Sequence, residues 1–172
     1  MAMITGFSPI AAKNAKMLIL GSIPGAASLE KQEYYAHPRN SFWDVIAQFT
    51  NSPPLSNYEE KKAVLIENHI ALWDVLKNCQ REGSLDSSIQ NHSIVTNDFE
   101  LFYSTHRSVK FVLFNGTKAE QEYNKRVLPI CHQFKHLTYY RLPSTSPAMA
   151  QLSKPEKLQK WLAVMDYSCQ SH

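Results

Sequence analysis

The sequence predicts an α/β protein: a three-layer α/β/α domain around a short, mostly parallel four-stranded central sheet. Three observations carry that expectation. Four short apolar runs, at residues 17–20, 70–72, 110–114 and 138–142, read as strands buried on both faces. Segments with a helical repeat lie between them, and strand–helix alternation builds parallel sheets covered by helices. Each apolar run also ends in small polar and turn residues, at the strand ends where such sheets place their ligands.

The elements follow in order. The first run exits into Gly21-Ser22-Ile23-Pro24-Gly25. Phe42, Ile46 and Phe49 then fall at i, i+4 and i+7, with Trp43 and Val45 widening the apolar face of a helix. Residues 51–57, with Pro53-Pro54, read as a loop between helices. The second run exits at Trp73-Asp74 and the third at Asn115-Gly116-Thr117, followed by a helix-compatible stretch over 118–127. The fourth exits into Pro143-Ser144-Thr145-Ser146-Pro147. Leu158, Trp161, Leu162 and Met165 share one face of a last helix, opened by a capping box of Ser153 and Glu156. With no internal repeat or linker, the 172 residues are expected to form one domain.

Composition excludes several classes. No stretch of about 18 apolar residues exists, so no membrane helix is expected. The run at 17–20 is too short for a signal peptide, so an intracellular, cytoplasmic protein is expected. Cys79, Cys131 and Cys169 are scattered, suggesting neither a disulfide framework nor a metal or iron–sulfur site. His37, His69, His92, His106, His132, His136 and His172 are dispersed as well, so no metal and no cofactor are expected. The net charge of +3 permits nucleic-acid binding without requiring it.

Two segments carry candidate chemistry. Gly21 to Gly25 lets backbone pass close to a ligand, yet it lacks the lysine of a phosphate-binding loop and the spacing of a dinucleotide loop. On its own it is equally a tight turn. Further on, Tyr34-Tyr35-Ala36-His37-Pro38-Arg39-Asn40-Ser41-Phe42-Trp43 crowds rings, a histidine, an arginine and an amide into one loop. Rings stack on an extruded base and amides read its edge. The structural alternative gives Asn40 or Ser41 the N-cap and puts Phe42 and Trp43 in the core.

The run GSIPGAASLEKQEYYAHPRNSFWDVI resembles the first motif of the uracil-DNA glycosylase superfamily, whose mismatch-specific branch carries G-I-N-P-G and H-P-x-N-x-F-W. LPSTSPA resembles the second motif, a Pro/Ser-rich loop after the last strand, and FVLFNGTKAE the strand and helix between them. With LWDVLKNCQREGSLDSSI, the chain is most similar to the hypoxanthine-DNA glycosylases. The resemblance runs over about residues 17–162. It implies a monomeric, monofunctional enzyme that hydrolyses the N-glycosidic bond of a deaminated base flipped from DNA. One departure stands out. Uracil-directed relatives carry Asp or Asn at the third position of the first motif, and here it is Ile23, which cannot hold a water. The hypoxanthine branch shares that loss, and the asparagine to which it implies a role matches Asn40.

The expected site follows. Asn40 is a neutral amide, so it orients water or sugar rather than acting as a base. Cleavage leaves negative charge on the base, which hydrogen-bond donors stabilise. Ser22, His37 and backbone N–H groups of the first loop are the candidates. Gly21, Ile23, Pro24, Gly25, Tyr35, Phe42, Trp73, Asp74 and Asn115 are expected to form the base pocket. His37 fits a structural loop bond equally well, and Asp74 a helix cap or ion pair. Pro143, Ser144, Thr145, Ser146, Pro147, Ala148 and Met149, with Arg39, are expected to grip the DNA, Met149 being the larger wedge. Lys118, Lys125, Arg126, Arg141 and Lys154 are possible phosphate contacts or plain solvated charges. The competing functions are removal of uracil, xanthine or a mismatched thymine, and non-catalytic binding of damaged DNA.

Overall fold

In a computed structural model residues 2–170 are described; His172 lies outside them. The chain forms β1 (Met3–Thr5), β2 (Met17–Gly21), α1 (Ala26–Lys31), α2 (Phe42–Phe49), α3 (Tyr58–Glu67), β3 (Ile70–Asp74) and β4 (Leu76–Gln80). There follow β5 (Val95–Thr96), α4 (Phe99–Thr105), β6 (Phe111–Asn115), α5 (Thr117–Glu122), β7 (Thr138–Leu142) and α6 (Lys154–Gln170). All four expected strands are present, and they form one four-stranded sheet in the order β3-β2-β6-β7, parallel throughout.

The first three apolar runs are two-sided because the sheet is covered on both faces there, whereas β7, at the sheet edge, departs from the expectation: Thr138 and Arg141 are exposed and only Leu142 is buried. Leu18, Leu20, Ala71, Val112 and Phe114 point into a core with α4 and α5. The alternate residues Met17, Ile19, Leu72 and Leu113 point into a second core with α2, α3 and α6. This period-two partition is the three-layer architecture. Each fully buried aliphatic side chain contributes about 1.5–3 kcal/mol, so twin cores make the sheet the rigid part of the molecule.

One feature was not legible in the sequence. A small antiparallel sheet, β1-β4-β5, adjoins the main one, because β4 follows β3 after a single residue. Its short, partly polar strands give no clear alternation. Residues 51–57 do join two helices, α2 and α3, and α3 buries only Leu65. The expected helix over 118–127 is present, but it widens to a π-helical turn at Tyr123–Val127. The capping box at α6 is formed, Ser153 Oγ donating to Glu156 Oε1 at 2.9 Å. No helix among the described residues is long and apolar enough to cross a membrane.

Candidate active site

A cavity of about 630 Å³ opens at the carboxyl ends of β2, β3 and β6. Chain order reverses there: β2 connects outward to β3 on one side, and β6 and β7 continue on the other. Such a crevice is where open α/β sheets bind ligands. Three segments wall it: the loop Gly21 to Gly25, residues 84–87 after β4, and residues 144–149 after β7.

The floor is made where Gly21, Asp74 and Tyr35 meet. A β-carbon on Gly21 would lie 2.6 Å from Asp74 Oδ1 and 2.7 Å from Tyr35 Oη, so only glycine lets both polar groups converge. Asp74 is 4% exposed, and its Oδ2 has no hydrogen-bond partner. Burial, reinforced by the charge of Asp86 and partly offset by Arg81, pushes its carboxyl up to about 7. The Tyr35 hydroxyl is buried beside the Asn115 amide without a well-formed bond, and burial and then Asp74 hold it well above the usual phenol value. Tyr35 has a left-handed backbone, φ 52°, and its ring stacks at 4.2 Å on Phe42. Strained backbone and unpaired buried polar atoms cost stability, and they gather where a ligand completes the structure.

Above the floor, Asn40 Oδ1 accepts from Phe42 N at 3.0 Å, a local turn leading into α2, whose N-cap is Ser41 without a side-chain cap bond. The oxygen of Asn40 is thus tied to the helix start, while the residue lines the cavity with its –NH₂ group free of that bond. His37 Nδ1 accepts from Arg39 N at 3.1 Å, so a neutral His37 carries its proton on Nε2, as a donor. Ser22 Oγ donates to Asp86 Oδ1 at 2.6 Å; while that bond stands, its proton is not available to a departing base.

The loop after β7 is held from below. Asn115 and Thr145 pair reciprocally: Asn115 Nδ2 donates to Thr145 Oγ1 and Thr145 N donates to Asn115 Oδ1, both at 2.9 Å. From α6, Trp161 Nε1 donates to Pro143 O at 2.8 Å and the buried Lys157 Nζ to Ser146 O at 2.9 Å. Ser41 N donates to Thr145 O, tying this loop to the Asn40 segment.

The fold recurs in known proteins. A family model described as the uracil DNA glycosylase superfamily matches residues 8–166. The chain belongs to the uracil DNA glycosylase superfamily. Two relatives are each called hypoxanthine DNA glycosylase. One, from Methanosarcina acetivorans, is 37% identical over 161 residues, covering 92% of this chain and 96% of that protein. The other, from Methanosarcina barkeri, is 40% identical over 115 residues, covering 66% and 72%. A solution NMR structure of a Methanosarcina acetivorans protein, provisionally assigned as a uracil DNA glycosylase, superposes with a TM-score of 0.80 at 34% identity, covering 97% of this chain and 99% of that one.

In this glycosylase the cavity gathers most of the expected site residues: Gly21, Ser22, Ile23, Pro24, Gly25, Tyr35, His37, Arg39, Asn40, Asp74, Asn115 and residues 144–149. Three do not line it. Phe42 is fully buried, supporting Tyr35 from behind. Trp73 points to the other face of the sheet, packing on Phe99 and Phe102 and donating to Phe7 O. Pro143 lies along a neighbouring groove with Arg141 and Lys160. Among the basic candidates, Lys118 and Arg126 pair with Glu122, Arg141 with Glu120, and Lys154 with Asp44. Sequence reasoning missed Ser84, Leu85, Asp86 and Ser87. Their signals were the turn-rich GSLDSS run and its place inside the LWDVLKNCQREGSLDSSI segment that carries the resemblance. Among the described residues no group of three or more His, Cys, Asp or Glu could hold a metal ion.

Proposed function

We propose that this glycosylase hydrolyses the N-glycosidic bond of deoxyinosine in DNA, releasing hypoxanthine. The observation that carries the reading is the buried Asp74 carboxyl, its Oδ2 unpartnered, on the floor of a cavity of about 630 Å³, roomy enough for an extruded nucleotide. Deamination turns the N1 of a 6-aminopurine from an acceptor into an N–H donor. Ionised Asp74 accepts that proton's hydrogen bond and repels the lone pair of adenine, so it selects the deaminated base. Uracil and xanthine carry the same N–H. The two relatives named for hypoxanthine, together with Ile23, which is 7% exposed and packed in the core, favour hypoxanthine over uracil.

In this reading Tyr35 stacks on the extruded base. Water adds to the sugar carbon, and the base leaves with the bonding electrons and takes up a proton. His37 Nε2–H and the backbone of the Gly21 to Gly25 loop donate toward the developing negative charge. Asn40, with its oxygen fixed on Phe42 N, donates through –NH₂ to the water or the sugar. The loop from Pro143 to Met149, with Arg39, holds the strand. We further take residues 1–172 as one monomeric domain that works inside the cell without a cofactor.

An alkali-developed strand-cleavage assay on oligonucleotides with one deoxyinosine or one deoxyuridine tests this. Deoxyinosine strands should be cut, and Asn40→Ala should be slower by about 100-fold, the usual scale for one transition-state donor. Cutting of uracil strands alone would reject the base assignment. Binding without cutting would reject the enzyme reading and favour a damaged-DNA binder.

A further inference from the structure

The wall formed by residues 81–89 is absent from the reading above. It is a built loop. An isolated bridge between Arg81 and Ile89 closes its base. Arg81, 3% exposed, donates through Nη2 to Pro24 O at 2.7 Å and through Nε to Gly83 O at 2.8 Å. Ala26 N donates to Ser84 Oγ at 2.9 Å, and Ser22 to Asp86 completes the attachment to the first motif. A loop fixed at four points buries Ile89 in the core and presents its other apolar side chain, Leu85, to solvent: Leu85 lines the cavity yet is 54% exposed.

A scattered exposed leucine needs no explanation. A leucine held rigidly at the mouth of a base pocket does. The loop follows β4 and is fastened to the segment after β2, whereas the loop bearing Met149 follows β7, an edge strand, and both line the cavity. With carboxylates at Glu82 and Asp86 on either side of Leu85, this loop is unsuited to phosphate and suited to the apolar face of a base stack. We infer that Leu85 is a second wedge, packing into the duplex beside the extruded nucleotide while the Met149 loop grips the strand. The inference rests on the DNA glycosylase reading. Physically, one leucine withdrawn from water against bases offsets part of the unstacking cost.

The test places 2-aminopurine next to deoxyinosine in a duplex and follows its fluorescence at saturating full-length protein, alongside base release. Wild type should raise the fluorescence, and Leu85→Ala should lose most of the rise. Base release from the duplex should slow about tenfold, the scale of one buried leucine. Release should recover when a pyrene nucleotide, which itself expels the opposing base, faces the deoxyinosine. Because Leu85 is exposed, thermal melting of the variant should match wild type. An unchanged fluorescence rise overturns the inference, and so does equal slowing on both duplexes, which marks a pocket or folding role. If wild type unstacks the duplex but releases no base, the wedge stands and the glycosylase reading falls.

Discussion

Two polar clusters sit side by side at the carboxyl end of the sheet and differ in kind. Asn115 and Thr145 form a closed pair, each satisfying the other through two hydrogen bonds. Asp74 and Tyr35 form an open one: Asp74 Oδ2 and the Tyr35 hydroxyl are buried and left unpaired over the bare Cα of Gly21. The closed pair holds a loop, so its energy goes into stability. The open pair is costly in the free protein and recovers that cost only when something in the cavity supplies the missing partner. At this end of the sheet the satisfied pair is scaffold, and the unsatisfied pair faces the cavity.

That contrast breaks most visibly at Asp74. Asp74→Asn should slow release of hypoxanthine by about 10–100-fold, the range for one charge-assisted hydrogen bond, without destabilising the protein at neutral pH. The sign with pH follows from the raised carboxyl. Its folded value, about 7, lies above the ordinary 3.8, so folding favours the protonated form and wild-type stability falls as pH rises between those values. The melting temperature of Asp74→Asn relative to wild type should therefore climb over that window. Activity runs the other way: wild-type kcat/KM on deoxyinosine should rise as pH passes through about 7, and Asp74→Asn should lack the step. A flat wild-type profile would remove Asp74 from base reading.

The closed pair should respond in the opposite currency. Asn115→Ala leaves buried Thr145 groups unpaired and should destabilise by about 2 kcal/mol, read as a denaturant midpoint shift at unchanged slope. The smallest effect should come from Trp161→Phe, which keeps the packing of α6 but drops the bond to Pro143 O. It should cost about 1 kcal/mol and weaken DNA binding more than it changes the rate on bound DNA.

Much of the fold was legible because a doubly covered sheet writes itself into the sequence. Residues 17–20, 70–72 and 111–114 are buried along their whole length, as strands covered on both faces are, whereas 138–142 at the sheet edge is buried only at Leu142 and was legible from its β-branched and aromatic residues. The Phe42 and Trp161 faces have a helical period, and Ser153 with Glu156 announces its cap. β4 and β5 could not be read so: strands this short and half-exposed are selected by their partners, not by their composition. The site divides similarly. Glycine, proline and polar clusters after strands marked Gly21 to Gly25, Asn115 and residues 143–147, but Trp73 was placed in the pocket when its side chain faces the opposite core. A one-residue step along a strand reverses the face, and an apolar run alone does not give the phase.

By itself, then, the sequence determined the layered α/β architecture, the strand ends that carry the site and, through its two motifs, the glycosylase family. Tertiary structure alone decided that Asp74 and Tyr35 meet unpaired over Gly21, that Ser22 gives its proton to Asp86, and that Leu85 stands at the mouth. The physical reason is range. Periodicity and turn chemistry act between residues a few positions apart, whereas Ser22 and Asp86 lie 64 residues apart and Asn115 and Thr145 lie 30 apart. Contacts at that separation are set by how the packed sheet brings distant strand ends together.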